Sequence, residues 1–263
     1  MGRGLKFLNR FLRLLPGRGC GRAVLSASET GSLRANNQDH VYVNASACVY
    51  AVADGMGGAA RGEIASQIVC QRLAAVDWMP LDFDGRVKAA SRALNEANGA
   101  ILDFAREHGL SRMGTTAAVL LLDAGRGRRG AIVYIGDSRV YRVRGNGAEA
   151  LTTDHTIGRE LGFYTHVRRG VEGQAARLNH VLTRAIGIGS QPGLVTVPVD
   201  VDPADRFIVC SDGVHDVLTE EVLAALMDAG SLEDAREHLC SAVEKGGSPD
   251  NYSFVLVGKG ARA

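Results

Sequence analysis

Four short apolar runs of β-type composition each meet an aspartate at one end. They read VYAVA before Asp54-Gly55, AIVYIG before Asp137-Ser138, FIVCS before Asp212-Gly213 and, in reverse order, Asp250-Asn251 before YSFVLV. Such a chain must build sheets whose strand ends deliver carboxylates from four separate regions. Acceptor-only oxygen ligands with no conspicuous His or Cys cluster among them suit hard divalent cations such as Mg²⁺ or Mn²⁺. Asp-Gly after an apolar run is also an ordinary turn signal, so the recurrence carries the weight and no single site does.

Composition narrows the setting. At 263 residues, 46% of them apolar, the chain is long enough for one large core. Lys plus Arg (30) nearly balance Asp plus Glu (29), so no global field argues for nucleic acid. Cys20, Cys48, Cys70, Cys210 and Cys240 are odd in number and form no C-x-x-C pair. That usage predicts reduced thiols in a cytoplasmic protein rather than a disulfide framework. No apolar stretch approaches the ~20 residues of a membrane span.

The first 28 residues contain no Asp or Glu. On a helical projection Arg3, Lys6, Arg10 and Arg13 cluster opposite Leu5, Leu8, Phe11, Leu12 and Leu15. A basic amphipathic tail over 1–20 is expected, suited to the inner face of an anionic membrane, to a partner complex or to organelle targeting. A frayed tail, or a helix packed on its own domain, is the plainer alternative. Met1-Gly2 does not complete a myristoylation motif, because Lys6 stands where Ser or Thr belongs.

Along the chain, strands are expected at 22–27, 40–53 with a turn at Asn44-Ala45-Ser46, 115–122, 131–135, 140–143, 194–199, 206–210 and 252–257. Helical spacing predicts helices over 63–76, 85–108, 219–227 and 231–245, with Thr219 as an N-cap. Residues 152–181 are polar, carry Arg168-Arg169 and show a short helical pattern at 157–161. A connection of that length reads as a functional flap. Strand pairs with helix pairs between them imply an α+β fold of antiparallel sheets with helices outside.

Arg34-Ala35-Asn36-Asn37-Gln38-Asp39 places a guanidinium and a carboxylate just before a strand. Arg offers a phosphate planar two-point hydrogen bonding and permanent charge. Asp54-Gly55-Met56-Gly57-Gly58 lets backbone approach an ion closely, and Asp216 follows Asp212 by one helical turn. With these segments the chain resembles the metal-dependent protein phosphatases of the 2C type, in a bacterial-like branch. The shared motifs fall in family order: R-A-N-N-Q-D at 34–39, A-D-G-M-G-G at 53–58, M-G-T-T at 113–116, G-D-S-R at 136–139, L-T-R-A-I-G at 182–187, S-D-G-V-H-D at 211–216 and P-D-N at 249–251.

The resemblance covers roughly residues 22–258. It implies an α-β-β-α four-layer sandwich, with residues 21–260 as the catalytic domain and 152–181 as its flap. It implies two Mn²⁺ or Mg²⁺ ions: Asp54 bridging both, the Gly55 carbonyl on one, and Asp212 and Asp250 on the other. Asp137 and Asp216 match the positions of a weaker third ion, Arg34 would take the phosphate, and Asp39 would act behind the metals. A water shared by two such cations becomes a nucleophile near neutral pH. The implied activity is hydrolysis of phosphoserine and phosphothreonine on phosphoprotein substrates by a monomer, opposing a Ser/Thr kinase.

This sequence departs from the animal members at two positions. Gln38 stands in place of a Glu, and Met56 in place of the His assigned to protonating the leaving group. The acid is then unassigned, with a third-metal water held by Asp137 and Asp216 preferred over His40 or His215. Thr115, Thr116, Ser138 and Asn251 read as hydrogen bonders behind the site. The alternatives are a pseudophosphatase that binds phosphorylated partners and a membrane- or secretion-associated scaffold.

Overall fold

Strand β3 (Val49–Met56) shows in one stretch how the sandwich forms. Val49, Ala51 and Ala53 point to one apolar cluster, while Tyr50 and Val52 point to another. Successive side chains of a strand face opposite ways, so an unbroken apolar run requires cover on both faces. The computed structural model describes residues 21–56, 61–123, 128–162, 177–228 and 230–258. The basic tail at 1–20, Cys20, Gly57-Gly58 and Arg168-Arg169 with the middle of the flap lie outside the described residues.

One sheet runs β2 (Asp39–Asn44), β3, β5 (Ala117–Leu122), β6 (Arg129–Ile135), β9 (Val195–Asp200), with β4 (Gly114–Thr115) paired to β3. The other runs β1 (Val24–Glu29), β11 (Tyr252–Val257), β10 (Arg206–Cys210), β7 (Arg139–Arg144), β8 (Gly147–Ala150). Every pairing is antiparallel.

Tyr50, Val52, Leu120 and Ile132 from the first sheet meet Phe207, Val209, Val255 and Val257 from the second in a shared core. On the outer face of the first sheet pack α1 (Gly62–Ala74) and α2 (Phe83–Glu107), through Val69, Leu73, Leu94 and Ile101. The outer face of the second carries α5 (Glu220–Asp228) and α6 (Leu232–Lys245), through Leu223, Met227, Leu239 and Val243. Two single-turn helices, α3 (Ile157–Glu160) and α4 (Asp212–His215), lie in the connections that follow β8 and β10. The four layers match the arrangement that the resemblance implies.

Local signals set the element ends. The Asp82 side chain accepts from Gly85 N–H at 2.7 Å, which starts α2 two residues before the periodic pattern. Ser231 and Asp234 form a capping box on α6, and the Thr219 carbonyl accepts the first helical bond of α5. Two features differ from expectation. The single strand expected at 115–122 is broken at Thr116, whose polar groups turn to Asp54. Strand β8, with sequence GAEA, has no β-branched residue and is held by pairing to β7.

Cys48, Cys70, Cys210 and Cys240 are free thiols, and burial pushes Cys70 and Cys210 up to about 12. Among the described residues no helix is long and apolar enough to cross a membrane. Because Leu120 is fully buried between the sheets, Leu120→Ala is expected to cost about 3 kcal/mol in urea unfolding. Val222 on α5 is 38% exposed, so Val222→Ala should stay within about 0.5 kcal/mol. Equal losses in the two variants would contradict this packing.

Candidate active site

The strand-end aspartates converge because β3, β6 and β10 end, and β11 begins, at one edge of the two packed sheets. Each is fixed through its backbone. Thr116 N–H and the Thr115 hydroxyl both donate to the Asp54 carbonyl, at 2.9 and 2.8 Å. The Thr116 hydroxyl accepts from Asp54 N–H at 3.0 Å and lies 2.6 Å from the Ser138 hydroxyl. One threonine thus ties the end of β3 to the loop that carries Asp137.

Gly55 packs so closely on the Gly62 and Gln38 carbonyls that no Cβ would fit. Gly136 takes φ +95° against Thr116, which turns the chain sharply into Asp137. His155 supports that turn: its Nδ1 accepts from Gly136 N–H at 3.0 Å while its ring stacks on Tyr134. Arg139 makes a two-point bond to buried Asp154 at 2.8 and 2.5 Å, anchoring the base of the flap.

Asp212 opens α4, and Asp216 N–H donates to its carbonyl, so the two carboxylates stand one turn apart as their spacing predicts. Asn251 fastens the remaining pieces. Its Oδ1 accepts from Gln38 N–H at 3.0 Å and its Nδ2 donates to the Asn36 carbonyl at 3.1 Å.

Arg34, Gln38, Asp54, Gly55, Met56, Asp137, Asp212, Asp216 and Asp250 all line one cleft of about 1130 Å³. Asp39 does not line it. That carboxylate is buried behind the cleft, with Oδ2 accepting from the Ser211 hydroxyl at 2.7 Å. Arg34 is engaged by Asp250 at 2.5 Å, a half-exposed pair that raises the guanidinium pKa further. The Gln38 amide, which also lines the cleft, donates to Glu63 on α1 at 3.2 Å. His40 is bonded to Ser66, and the His215 Nε2 lies 3.0 Å from the Asp137 carbonyl; both rings serve structure in this arrangement.

So many carboxyls in one place leave an electrostatic deficit. Burial, then Asp39, Asp212, Asp137 and Asp250, hold the Asp54 carboxyl well above the usual range. Burial followed by neighbouring acids also raises Asp137 and Asp212, and Asp39 is pushed up to about 7, chiefly by burial. Asp39 Oδ1 and Asp212 Oδ1 are buried with no hydrogen-bond donor among the described residues. Orphaned acceptors among carboxylates that oppose one another's ionisation fit bound cations.

His180 is the member that sequence reasoning missed. Its Nδ1 lies 3.3 Å from Asp216 Oδ2, and donor atoms of His180, Asp212 and Asp216 all fall within 4.8 Å of one another. A lone imidazole in a polar stretch carries no periodic signal, and only the return of the chain beside α4 gives it partners. Asp216, unlike its neighbours, is lowered: burial opposes ionisation, but His215 and His180 outweigh it.

Comparison with known proteins agrees with this geometry. The pattern of the family described as Protein phosphatase 2C matches residues 32–242. The chain is 34% identical over 235 residues to the serine/threonine protein phosphatase PstP of Mycobacterium tuberculosis, covering 88% of this chain and 43% of that protein. It therefore spans under half the length of that curated relative. Among solved structures, PppA, described as a key regulatory component of T6SS in Pseudomonas aeruginosa, superposes with TM-score 0.79 at 29% identity, over 90% of this chain and 96% of that one. The catalytic domain of PstP in complex with two manganese ions gives TM-score 0.75 at 31% identity, over 90% and 97%. By sequence pattern, fold and the order of its motifs, the chain belongs to the protein phosphatase 2C family.

Proposed function

We propose that the chain is a metal-dependent protein serine/threonine phosphatase, with residues 21–260 as its catalytic domain. The observation that carries the reading is the gathering of Asp54, Asp137, Asp212, Asp216 and Asp250 in one cleft beside Arg34. Asp54, the Gly55 carbonyl, Asp212 and Asp250 would hold two Mn²⁺ or Mg²⁺ ions, and Asp137 with Asp216 a third, within reach of His180. When bound, such ions activate a water and neutralise phosphoryl oxygens.

The chain's own residues do the rest. Arg34 orients the phosphoryl group, since its guanidinium already faces anionic oxygen at the cleft. Asp39 acts as a positioning residue: through Ser211 it fixes the residue before Asp212. Met56 offers no proton to a leaving group, so His180 or a water near Asp216 is the available donor. We place the protein in the cytoplasm as a monomer opposite a Ser/Thr kinase, with the basic tail as an address to a membrane face or complex. Retention of every carboxylate that the cleft needs disfavours a pseudophosphatase.

Turnover of p-nitrophenyl phosphate and of a phosphothreonine peptide should require Mn²⁺ and stop with chelator. Asp54→Ala should lower kcat about 10²-fold or more. Metal-independent hydrolysis, or full activity in that variant, would overturn the mechanism. Arg34→Ala should act mainly on binding, raising KM for the phosphopeptide about tenfold in steady-state assays.

The raised carboxyls also fix a pH dependence. Asp39 keeps its proton to about 7 in the folded, cation-free protein, whereas its ordinary value is 3.8. The folded state then binds more protons than the unfolded chain across that window, so stability falls as pH rises through it. Thermal unfolding in chelator should show Tm dropping from about pH 5 to about pH 7.5. Added Mn²⁺ should raise Tm more at the higher pH, where protons no longer compete for the carboxylates. A Tm indifferent to pH, or a metal increment larger at low pH, contradicts the assignment of these acids.

A further inference from the structure

The cleft has a second wall whose chemistry the phosphoryl reaction does not use. Besides the aspartates and Arg34, the cleft is lined by Met56, Leu102, Val181, Leu182 and Ile188. Val181 is 42% exposed and Ile188 45%, among the most exposed large apolar side chains of the described residues.

Ile188 is held out by a built turn. It lies between Gly187 at φ +91° and Gly189 at φ +87°, conformations that other residues rarely adopt. Asn98, on α2 and only 2% exposed, devotes its side chain to that turn. Its Oδ1 accepts from Gly187 N–H at 2.7 Å, and its Nδ2 donates to the Gly189 carbonyl at 3.1 Å. Beneath, Ile186 pairs with Thr115, and a Cβ on Gly187 would meet the Met113 carbonyl at 2.5 Å.

Gly114 completes the surface. A Cβ there would lie 2.9 Å from Met56 Cε and 3.3 Å from Ile188 Cγ1, so the glycine lets both side chains close over one spot. Buried amide bonds and two left-handed glycines thus fix an exposed aliphatic side chain beside the residue that follows Asp54-Gly55. A scattered surface isoleucine needs no such support.

Resting on the phosphatase reading above, we infer that this wall binds a bulky aliphatic side chain adjacent to the phosphoserine or phosphothreonine of the substrate protein. The cleft is continuous, and at about 1130 Å³ it is far larger than one phosphorylated side chain requires. A substrate whose phosphate reaches Arg34 and the aspartates must lay its neighbouring residues on the walls, and this wall is apolar and already ordered. Apolar contact on a pre-formed surface favours binding without an ordering cost. Arg112, exposed on the same rim, disfavours a basic neighbour.

The test uses two phosphothreonine peptides identical except for leucine or serine on both sides of the phosphothreonine, assayed with Mn²⁺. Wild type should favour the leucine peptide about tenfold in kcat/KM, through KM. Ile188→Ser, a half-exposed change with little risk to folding, should bring the ratio below about threefold, and Ile188→Leu should keep it. Equal rates in wild type, or an undiminished preference in Ile188→Ser, would overturn the proposal while leaving the phosphatase reading intact. Absence of Mn²⁺-dependent turnover of both peptides would instead remove that reading, and the proposal with it.

Discussion

Mutual repulsion among buried carboxylates is the constraint around which the rest of this molecule is arranged. Asp39, Asp54, Asp137 and Asp212 lie close enough that each opposes ionisation of others, and burial raises them all. Such a cluster is unfavourable for folding on its own account. Two sheets with apolar faces on both sides, closed by two helix pairs, offset that cost and hold the strand ends together. Free energy stored as carboxylate repulsion is recovered when cations bind, which couples ligand affinity to the stability of the whole sandwich.

Precision in the cluster comes from backbone rather than from side-chain packing. Asp54 is gripped at both its N–H and its carbonyl by Thr115 and Thr116, and Asn251 ties the Asn36–Gln38 segment to the start of β11. Glycines at 55 and 213 allow main chain to approach main chain, and Gly136 lets the chain turn against the Thr116 side chain, where a Cβ would collide. Each of these bonds has one end on main chain, so the segments that carry the carboxylates are held in place by the fold itself.

What was legible in the sequence follows the same division. The doubly buried strands are continuous apolar runs, and β10 and β11 fall where those runs begin and end. Strand β8 was hidden because GAEA has no pattern apart from its partner. The break at Thr116 was hidden because a threonine inside an apolar run looks like a strand residue until its hydroxyl finds Asp54. Arg34 and the five aspartates of the cleft were recognised through motifs, whereas His180, His155 and Asn98 were not. Their partners lie far along the chain at Asp216, Gly136 and Gly187, and no local spacing encodes those meetings.

The division between floor and wall bears on selectivity. On the proposed reading, Arg34 and the aspartates would address features common to every phosphate monoester, so their contribution to binding would be nearly the same for all substrates. Specificity is a difference of affinities, and a term shared by all competitors cancels from it. On that reading discrimination would arise where the cleft differs from a bare phosphate site, on the surface of Met56, Val181 and Ile188. The departure at Met56 has this second consequence. Where a histidine would serve the leaving group, this chain places an apolar side chain against Gly114 and Ile188, which on the same reading would exchange a proton donor for surface that can tell one peptide from another.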